Sequence, residues 1–333
     1  MIESSSFFNW YESVKLENFR EKSILIIGSG FIANEYCKVL KFLRCQNVVI
    51  LGNSKESTEK LATEYDFQYI YGGFEKKINE IEKKDLVIVC TPIHLLLKAT
   101  KSALLSGQKN ILVEKPGSIY PEELSTLNEQ ISDQNIRIAF NRLFYPSLLK
   151  LKKILANEVI TSCHFRFTEW IDTINFQKYQ KDAYTRWGIS NSLHVIGMAF
   201  DIIDNPQQIS CFQKGSLDWH HSGSIFTGSG ITTKNILFSY HSDWESFGRW
   251  SIEIFTKKNI YRLMPLEELH VYNNKSHTWE KIETESYFPK LKPGLGEQIL
   301  MMLSNDISIK NHLMSLSKTA SLINTAEKIF AYK

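Results

Sequence analysis

Two segments of this 333-residue chain carry residue types at spacings that could do chemistry. In the first, an apolar run at 24–27 leads into Gly28-Ser29-Gly30-Phe31-Ile32-Ala33, a Gly-x-Gly-x-x-Ala pattern. In the second, an apolar run at 111–113 leads into Glu114-Lys115-Pro116. The first pattern is typical of a strand, a glycine turn and a helix that together bind a dinucleotide, and the second delivers a lysine at a strand end. Together they predict a nicotinamide-dependent enzyme that uses a lysine.

The two glycines of the first segment have separate physical uses. Gly28 allows a tight turn, and Gly30 lacks a Cβ atom, so the backbone there can approach a diphosphate. Amides at the start of the following helix would then face the negative charge. An ordinary glycine turn between a strand and a helix is the alternative. The apolar strand before the turn, and the helical spacing of Tyr36, Val39 and Leu40 after it, favour dinucleotide binding.

The end of the second apolar run bears on the choice between NAD and NADP. NAD-binding units usually place an acidic residue there for the ribose 2′-hydroxyl, whereas a nearby basic residue accommodates the 2′-phosphate of NADP. Here the run at 48–51 leads into Gly52-Asn53-Ser54-Lys55, and the first acid is Glu56. An amide, a hydroxyl and an ammonium group favour NADP, with NAD as the other option. A polar turn that makes no ribose contact is the alternative.

Lys115 follows a buried strand at the edge where open α/β sheets bind their ligands. A partly desolvated lysine beside a nicotinamide is suited to donate or accept the proton that accompanies hydride transfer. Pro116 biases Lys115 towards an extended backbone. Considered alone, Lys115 has a simple alternative, which is a solvent-exposed lysine at a strand end.

The elements that must hold these residues alternate between strand and helix up to about residue 140. Helical spacing separates most of the apolar runs, which predict strands at 24–27, 47–51, 86–90, 110–113 and 136–140. This alternation predicts an α/β fold with a doubly wound parallel sheet of the Rossmann type. Because its strands are apolar throughout, we expect helices to cover both faces of the sheet.

After Asn141 the pattern changes to alternating apolar and polar residues. Segments 160–170, 235–244 and 250–256 have the period of a sheet with one face in water, and helical spacing returns at 315–331. We therefore expect three parts, which are an N-terminal extension at 1–22, a dinucleotide-binding Rossmann domain at 23–141, and a substrate-binding α+β domain with an open, mostly antiparallel sheet at 142–333.

Composition narrows the function classes further. The hydrophobic fraction of 43%, the charged fraction of 23% and the net charge of +3 are those of a globular protein without a basic block for nucleic acid. Charged residues interrupt every apolar run before it reaches the ~18–20 residues that span a bilayer. The five cysteines are scattered, and no Cys-x-x-Cys or His-x-x-x-His pair occurs. We therefore expect buried thiols, a cytoplasmic location, and no metal, nucleic-acid or membrane partner.

Further motifs follow the glycine loop in order along nearly the whole chain, namely Asp85-Leu86-Val87-Ile88-Val89-Cys90-Thr91-Pro92, Gly107, Val113-Glu114-Lys115-Pro116 and Asn141-Arg142. Together they resemble the glucose–fructose oxidoreductase / inositol dehydrogenase (Gfo/Idh/MocA) family, and the Glu-Lys-Pro element is the most specific part. The resemblance implies hydride transfer at a carbon bearing a hydroxyl or carbonyl group, usually on a sugar, sugar nucleotide or cyclic polyol. It also implies subunit contacts through the open C-terminal sheet. By position, it places Thr91 and Pro92 beside the nicotinamide and makes Lys115 catalytic.

The chain departs from that family in its second motif. Members typically carry Asp-x-Gly-x-His at the opening of a helix, with Asp and His both facing the substrate. The matching residues here are Ser190-Asn191-Ser192-Leu193-His194, so a serine stands at the aspartate position. On an α-helix Ser190 and His194 would share a face. Because serine and asparagine are not acids or bases near neutral pH, Lys115 and His194 must handle the proton, unless the substrate is unusual. A helix histidine bonded to backbone is the alternative for His194.

We therefore expect an NADP-dependent oxidoreductase that acts on a carbohydrate and assembles as a homo-oligomer through the C-terminal sheet. The alternative is a dinucleotide-binding regulatory or scaffold protein with little turnover, which the missing aspartate favours and the retention of Lys115 and His194 disfavours. Those two residues are the expected catalytic groups. The expected cofactor contacts are Gly28, Ser29, Gly30, Phe31, Ile32, Asn53, Ser54, Lys55, Thr91, Pro92, His94, Glu114 and Lys115. The expected substrate contacts are Arg142, Tyr145, Trp187, Ser190, Asn191 and His194.

Overall fold

The computed structural model describes residues 2–14, 19–286 and 288–332 of the chain. It divides into two compact units. The first unit comprises Met1–Asn141 with Phe288–Ala320, and the second comprises Arg142–Tyr287 with Ser321–Lys333. Each unit contains its own sheet.

The elements follow one another from helix α1 to strand β14 and helix α12. The helices are α1 (Ile2–Ser13), α2 (Phe31–Phe42), α3 (Lys55–Tyr65), α4 (Phe74–Lys77), α5 (Leu96–Leu105), α6 (Pro121–Gln130), α7 (Pro146–Leu155), α8 (Lys181–Thr185), α9 (Leu193–Ile203), α10 (Leu295–Leu303), α11 (Ile307–Lys310) and α12 (Leu316–Phe330). The strands are β1 (Ser23–Ile27), β2 (Asn47–Gly52), β3 (Gln68–Tyr71), β4 (Leu86–Val89), β5 (Asn110–Glu114), β6 (Asn135–Ala139), β7 (Ile160–Arg166), β8 (Pro206–Lys214), β9 (Ile225–Thr232), β10 (Leu237–Asp243), β11 (Ser251–Thr256), β12 (Ile260–Leu263), β13 (Leu269–Asn273) and β14 (Thr278–Ile282).

The sheet of the first unit has, over the described residues, six parallel strands in the order β3-β2-β1-β4-β5-β6. Ile26 of β1 lies opposite Ile50 of β2 and Ile88 of β4, and all three side chains are fully buried. This strand order is that of a Rossmann fold, so the predicted parallel sheet is confirmed. The apolar pattern does not predict β3, because this edge strand is only half-buried or exposed and contains no apolar run.

The segment around α10 belongs with the first unit, which differs from the continuous domain expected at 142–333. All residues of α10 are buried, and the Met302 carbonyl at its end accepts a hydrogen bond of 2.9 Å from the Asn110 amide of β5. The side-chain amide of Asn141, after β6, donates to the Pro293 carbonyl at 2.9 Å. The Rossmann unit therefore gains an additional helix from late in the chain. Tyr11 of α1 donates to Glu297 of α10 at 2.9 Å, which attaches the leading helix to the same segment.

The sheet of the second unit contains, among the described residues, eight strands in the order β14-β13-β12-β11-β7-β10-β9-β8. All pairs are antiparallel except β7 with β10, so the predicted open, mostly antiparallel sheet is confirmed. Helix α9 covers one face, where Phe165 of β7 packs edge-on against Phe200 at 5.7 Å between ring centres. The other face carries polar side chains, including His164, whose Nδ1 is 2.9 Å from the Ser239 hydroxyl.

All five cysteines lie in the described residues as free thiols, and four of them are buried, as expected for small core residues. Within the described ranges, no helix is both long enough and apolar enough to cross a membrane.

Candidate active site

The glycine loop follows β1 directly, and its conformation explains both glycines. Gly28 has a φ of +126°, and a Cβ atom there would lie 2.7 Å from the Cys90 carbonyl oxygen. Gly30 is the N-cap of α2, and no described atom lies within 4 Å of the place its Cβ would take. Gly28 is therefore required by packing between strand ends, whereas Gly30 leaves space at the helix N-terminus. This space and the first amides of α2 fit a dinucleotide diphosphate.

The turn after β4 holds three of the expected cofactor contacts. Pro92 and His94 are exposed, and Ile93–Leu95 forms a single 3-10 turn. Partial burial lowers the pKa of His94. The Thr91 hydroxyl is buried and has no hydrogen-bond partner among the residues that the structure describes. Because buried hydroxyls normally have partners, this group fits a site that a bound nicotinamide carboxamide would complete.

At the end of β5, Glu114 and Lys115 are both half-buried. Glu114 accepts a hydrogen bond of 2.7 Å from the Tyr36 hydroxyl of α2. Burial raises the pKa of Glu114, and this hydrogen bond together with the charges of Lys115 and Lys292 partly offsets the effect. Burial is the main cause that raises the pKa of Tyr36 well above its ordinary value, and the negative charge of Glu114 adds to it. The phenol therefore remains a donor. The lysine thus stands beside a carboxylate that a buried tyrosine holds in place.

Lys292 is a charged residue of this region that the sequence patterns do not reveal. Its ammonium lies 5.8 Å from the centre of the Phe31 ring at the start of α2, and Phe31 is 66% exposed. Lys292 therefore places a positive charge close to both the glycine loop and Glu114. Only the return of the segment before α10 to the first unit brings it there, so no local motif could have identified it.

The turn after β2 presents the polar groups expected from the sequence. Asn53, Ser54 and Lys55 are all exposed. Ser54 is the N-cap of α3, and its Oγ lies 2.7 Å from Ser57 Oγ, which in turn lies 3.0 Å from Ser29 Oγ of the glycine loop. The Lys55 ammonium forms no ion pair with any described residue. This lysine is therefore free to bind an anion.

His194 lies near the start of α9, immediately after a π-helical turn at Gly188–Ser192. A π turn closes its hydrogen bonds one residue later than an α-helix, so Ser190 lies in a π turn rather than in the α-helix expected from the sequence. His194 is 9% exposed, and its ring centre lies 6.4 Å from that of Trp250. Such turns are frequent at functional sites.

Residues from the last part of the chain hold this π turn. A Cβ atom at Gly188 would clash with the Phe330 ring, and the Gly188 amide donates to the Tyr332 hydroxyl oxygen at 2.9 Å. The Tyr332 oxygen is 2.6 Å from His220 Nε2, and His220 Nδ1 is 2.7 Å from the Gly223 carbonyl. Burial lowers the pKa of His220 to about 4, so the ring is neutral at pH 7. It then donates to Gly223 and accepts from Tyr332, which fixes the π turn through one chain of hydrogen bonds.

Ser190, at the position of the family's aspartate, is turned towards the backbone. Its hydroxyl donates to the Ala183 carbonyl of α8 at 2.8 Å, and the residue is 3% exposed. The hydroxyl proton is therefore committed to a backbone carbonyl of the protein.

Glu169, just after β7, provides a carboxylate to the same turn. Its two oxygens accept hydrogen bonds from Asn191 Nδ2 at 2.7 Å and from Ser192 Oγ at 2.5 Å, and the residue is 5% exposed. The side-chain oxygen of Asn191 bonds to no described residue. Glu169 therefore sets the orientation of the Asn191 amide and leaves its acceptor free. Sequence reasoning missed Glu169 because nothing local distinguishes it from any acid after a strand.

The second unit contains a cavity of about 400 Å³. Arg142, Trp187 and Asn191, all expected substrate contacts, line it. Tyr145 instead lies buried under the Arg142 guanidinium, whose carbon is 5.7 Å from the tyrosine ring centre. Ser190 and His194 are outside the described lining, although Trp250, the neighbour of His194, is part of it. Glu169, Trp170 and Arg249 also line the cavity.

Solved structures match the fold of this chain over nearly its full length. A dehydrogenase from Clostridium difficile is 18% identical with a TM-score of 0.73, covering 94% of this chain and 99% of that chain. Levoglucosan dehydrogenase in complex with NADH is 16% identical with a TM-score of 0.73, covering 93% and 96%. UDP-N-acetylglucosamine 3-dehydrogenase from Acidithiobacillus ferrooxidans is 12% identical with a TM-score of 0.69, covering 93% and 96%. These likenesses establish the fold of both units.

Sequence comparison adds two matches in shorter regions. Glutamyl-tRNA reductase from Picrophilus torridus is 34% identical over 101 residues, which are 30% of this chain and 25% of that protein. The chain thus spans about a quarter of the length of the curated relative it matches. Residues 22–141 match the model of the oxidoreductase family with an NAD-binding Rossmann fold, GFO_IDH_MocA. This match covers the dinucleotide-binding part of the chain, which is similar to the Gfo/Idh/MocA family of oxidoreductases.

Proposed function

We propose that the protein is an NAD(P)-dependent oxidoreductase that transfers a hydride between a nicotinamide cofactor and a hydroxyl or carbonyl carbon of a carbohydrate. One observation carries the proposal: the same parallel sheet has an open helix N-terminus at Gly30 and a half-buried lysine after β5. Both follow the carboxyl ends of strands, where folds of this kind bind dinucleotides. Levoglucosan dehydrogenase, which shares the fold, binds NADH.

The roles of the residues follow from the chemistry. A bound nicotinamide supplies or accepts the hydride. Gly30 and the amides of α2 hold the diphosphate, and Thr91 offers its buried hydroxyl to the nicotinamide. Lys115 donates a proton to a carbonyl oxygen or accepts one from a hydroxyl. His194 is the second proton-transfer group, because the Ser190 proton is already given to the Ala183 carbonyl.

The turn after β2 supports a preference for NADPH over NADH. Lys55 carries an unpaired charge among the described residues, and the N-terminus of α3 adds backbone amides that favour an anion. We expect Lys55→Ala to weaken NADPH binding ~10–150-fold, which corresponds to the roughly 1.5–3 kcal/mol of one charge-assisted contact. NADH binding should hardly change. Titration of both cofactors into nucleotide-free protein measures this.

Lys60→Ala is the matched control, because Lys60 is an exposed lysine of the same helix α3. It should leave both affinities unchanged. A clear preference of the unaltered protein for NADH would contradict the NADP assignment.

Glu169 acts in this proposal as a positioning residue. The family's aspartate is absent from the helix, yet a buried carboxylate reaches the π turn from the end of β7. By binding the amide nitrogen of Asn191, it directs the Asn191 oxygen to accept a hydrogen bond from a substrate hydroxyl. The carboxylate is thus supplied by another element of the same unit.

We expect Glu169→Gln to raise KM about tenfold or more while kcat changes little, since glutamine cannot accept both hydrogen bonds and releases Asn191. Steady-state kinetics with the carbohydrate that the protein turns over measures the two constants separately. Glu267→Gln is the control, because Glu267 is an exposed acid that lines the same cavity. Equal KM values for the two variants would remove Glu169 from substrate positioning.

A binding or regulatory protein with little turnover is the second candidate, and the engagement of the Ser190 hydroxyl with the backbone favours it. One experiment separates the two. The protein is incubated with NADPH or NADP and a panel of sugars, polyols and sugar nucleotides, and nicotinamide absorbance is followed. Mass spectrometry of the products accompanies it, since a tightly held cofactor would hide turnover from absorbance. Cofactor binding without any product would favour the second candidate.

We also infer that a second copy of the chain covers the open face of the second sheet, and that the protein is cytoplasmic. The face carries a groove of about 740 Å³ along β7–β10, and Leu237, which lines it, is 60% exposed. Light scattering of the purified protein gives the particle mass, and a monomer would contradict the first inference.

A further inference from the structure

The cavity of the second unit is rich in hydrogen-bond donors that have no acceptor. Three cationic side chains line it: Arg142, Lys178 and Arg249. None of them forms an ion pair or side-chain hydrogen bond with any residue in the described ranges. Arg142 is half-buried, and Lys178 and Arg249 are exposed, so the N–H groups of all three are accessible to an anionic ligand.

The two arginines are held by stacking rather than by carboxylates. The guanidinium carbon of Arg142 lies 4.6 Å from the centre of the Trp250 ring, and that of Arg249 lies 5.5 Å from the Trp170 ring. Trp170 is itself fixed, because its indole N–H donates to the Gly248 carbonyl at 2.6 Å. Stacking on an indole orients the guanidinium plane and leaves its N–H edge available. An arginine edge in that arrangement suits bidentate binding of phosphate or carboxylate oxygens.

Trp187 adds a buried donor of a different kind. It lines the cavity, it is 9% exposed, and its indole N–H has no hydrogen-bond partner within the described part of the chain. Stacking on Tyr184, with ring centres 5.9 Å apart and planes at 14°, fixes the indole. Because buried N–H groups are normally satisfied, this one indicates an acceptor that a ligand brings.

The acidic residues of the cavity do not balance these donors. Both oxygens of Glu169 already accept hydrogen bonds from Asn191 and Ser192, and Glu267, which is exposed like Lys178 and Arg249, forms no ion pair with a described residue. The lining thus carries one more positive than negative charge, and its open N–H donors suit a ligand with anionic oxygens. Two arginines and one lysine exceed what a single carboxylate requires, which favours a phosphate or a diphosphate.

We propose that this cavity binds a phosphorylated carbohydrate, with its phosphoryl oxygens on Arg142, Arg249 and Lys178 and an acceptor atom on the indole N–H of Trp187. The carbohydrate part of the proposal rests on the proposed function, whereas the anion site rests on the cavity alone. A sugar phosphate and a nucleoside diphosphate sugar share this chemistry, and the aromatic side chains Trp170 and Trp250 can stack on a sugar or a base.

Calorimetric titration tests the site directly. The probes are glucose 1-phosphate, uridine diphosphate glucose, inorganic pyrophosphate and uncharged glucose. Each is added to protein with and without saturating NADPH, which distinguishes binding in the cavity from binding at the dinucleotide site. We expect the phosphorylated probes to bind at least tenfold more tightly than glucose. Tighter binding of the nucleotide sugar than of glucose 1-phosphate would identify the nucleoside diphosphate form, and the reverse would identify the sugar phosphate.

Arg142→Gln and Arg249→Gln should each weaken the binding of the phosphorylated probes about tenfold or more. Arg262→Gln is the matched control, since Arg262 also stacks on a tryptophan of the second unit, 4.0 Å from the Trp279 ring centre, but lies outside the cavity. Binding that is equal in all three variants, or no binding of any phosphorylated probe, would overturn the proposal. Binding without turnover would leave the anion site standing and count against the enzyme proposal alone.

Discussion

Replacing Lys115 with alanine is expected to lower turnover by ~10²–10⁴-fold, the usual range for the loss of a positioned proton donor. Dinucleotide affinity and the fold should change little, because the proposed diphosphate site is formed by Gly30 and the backbone amides of α2 rather than by this side chain. The measurement pairs kcat for the carbohydrate that the protein turns over with a fluorescence titration of NADPH. Thermal unfolding monitored by circular dichroism checks that the variant is folded.

Two further variants make the result specific. Lys115→Arg should not restore turnover, since a guanidinium stays protonated and does not exchange its proton usefully. Lys109→Ala is the matched control: Lys109 immediately precedes the same strand, β5, but it is exposed and pairs with Asp133 at the surface. Turnover of Lys115→Ala equal to that of Lys109→Ala would remove Lys115 from the mechanism.

The second large effect is expected at His194. His194→Ala should lower turnover by ~10²-fold or more if the imidazole takes part in proton transfer. Ser190→Ala should be much milder in turnover, because its hydroxyl proton serves the Ala183 carbonyl rather than a ligand. Its main cost should be roughly 0.5–1.5 kcal/mol in the free energy of unfolding, the contribution of one neutral hydrogen bond. Kinetics and denaturant unfolding of both variants measure the two quantities.

His277→Ala provides the control for the histidine. His277 is exposed in the turn between β13 and β14 and should be silent in turnover. A Ser190→Ala variant as inactive as His194→Ala would mean that the serine hydroxyl is an obligatory proton relay. It would contradict the assignment of proton transfer to His194 without Ser190.

The sequence predicts the first unit best, because its strands are buried on both faces and therefore read as continuous apolar runs. The glycine loop is equally local, since both glycines act within a few residues of their own strand. Strand β3 escapes detection because it is a short edge strand with half-exposed residues. The packing of α10 against the first unit is not predicted. A helix that is buried on all sides could pack against several elements, and its sequence does not indicate which one.

The sequence also predicts some residues of the candidate site and not others. Arg142, Trp187 and Asn191, which the sequence offers as substrate contacts, line the cavity, while Glu169 and Lys292 emerge only from contacts between distant segments. The π turn at Gly188–Ser192 is not predicted, because the packing of Gly188 on Phe330 and its bond to Tyr332 involve residues far along the chain. Contacts that depend on tertiary packing leave no periodic signal in the chain.

The most direct test of the proposed function is the transfer of the hydride itself. The protein is incubated with NADPH that carries deuterium on one or the other face of nicotinamide C4, together with the carbonyl forms of the carbohydrate panel, including phosphorylated ones. We predict that the product gains deuterium at the former carbonyl carbon from one labelled cofactor and none from the other, as read by mass spectrometry. Products without deuterium from either cofactor, or no product from any carbohydrate while NADPH binds, would contradict hydride transfer by this protein.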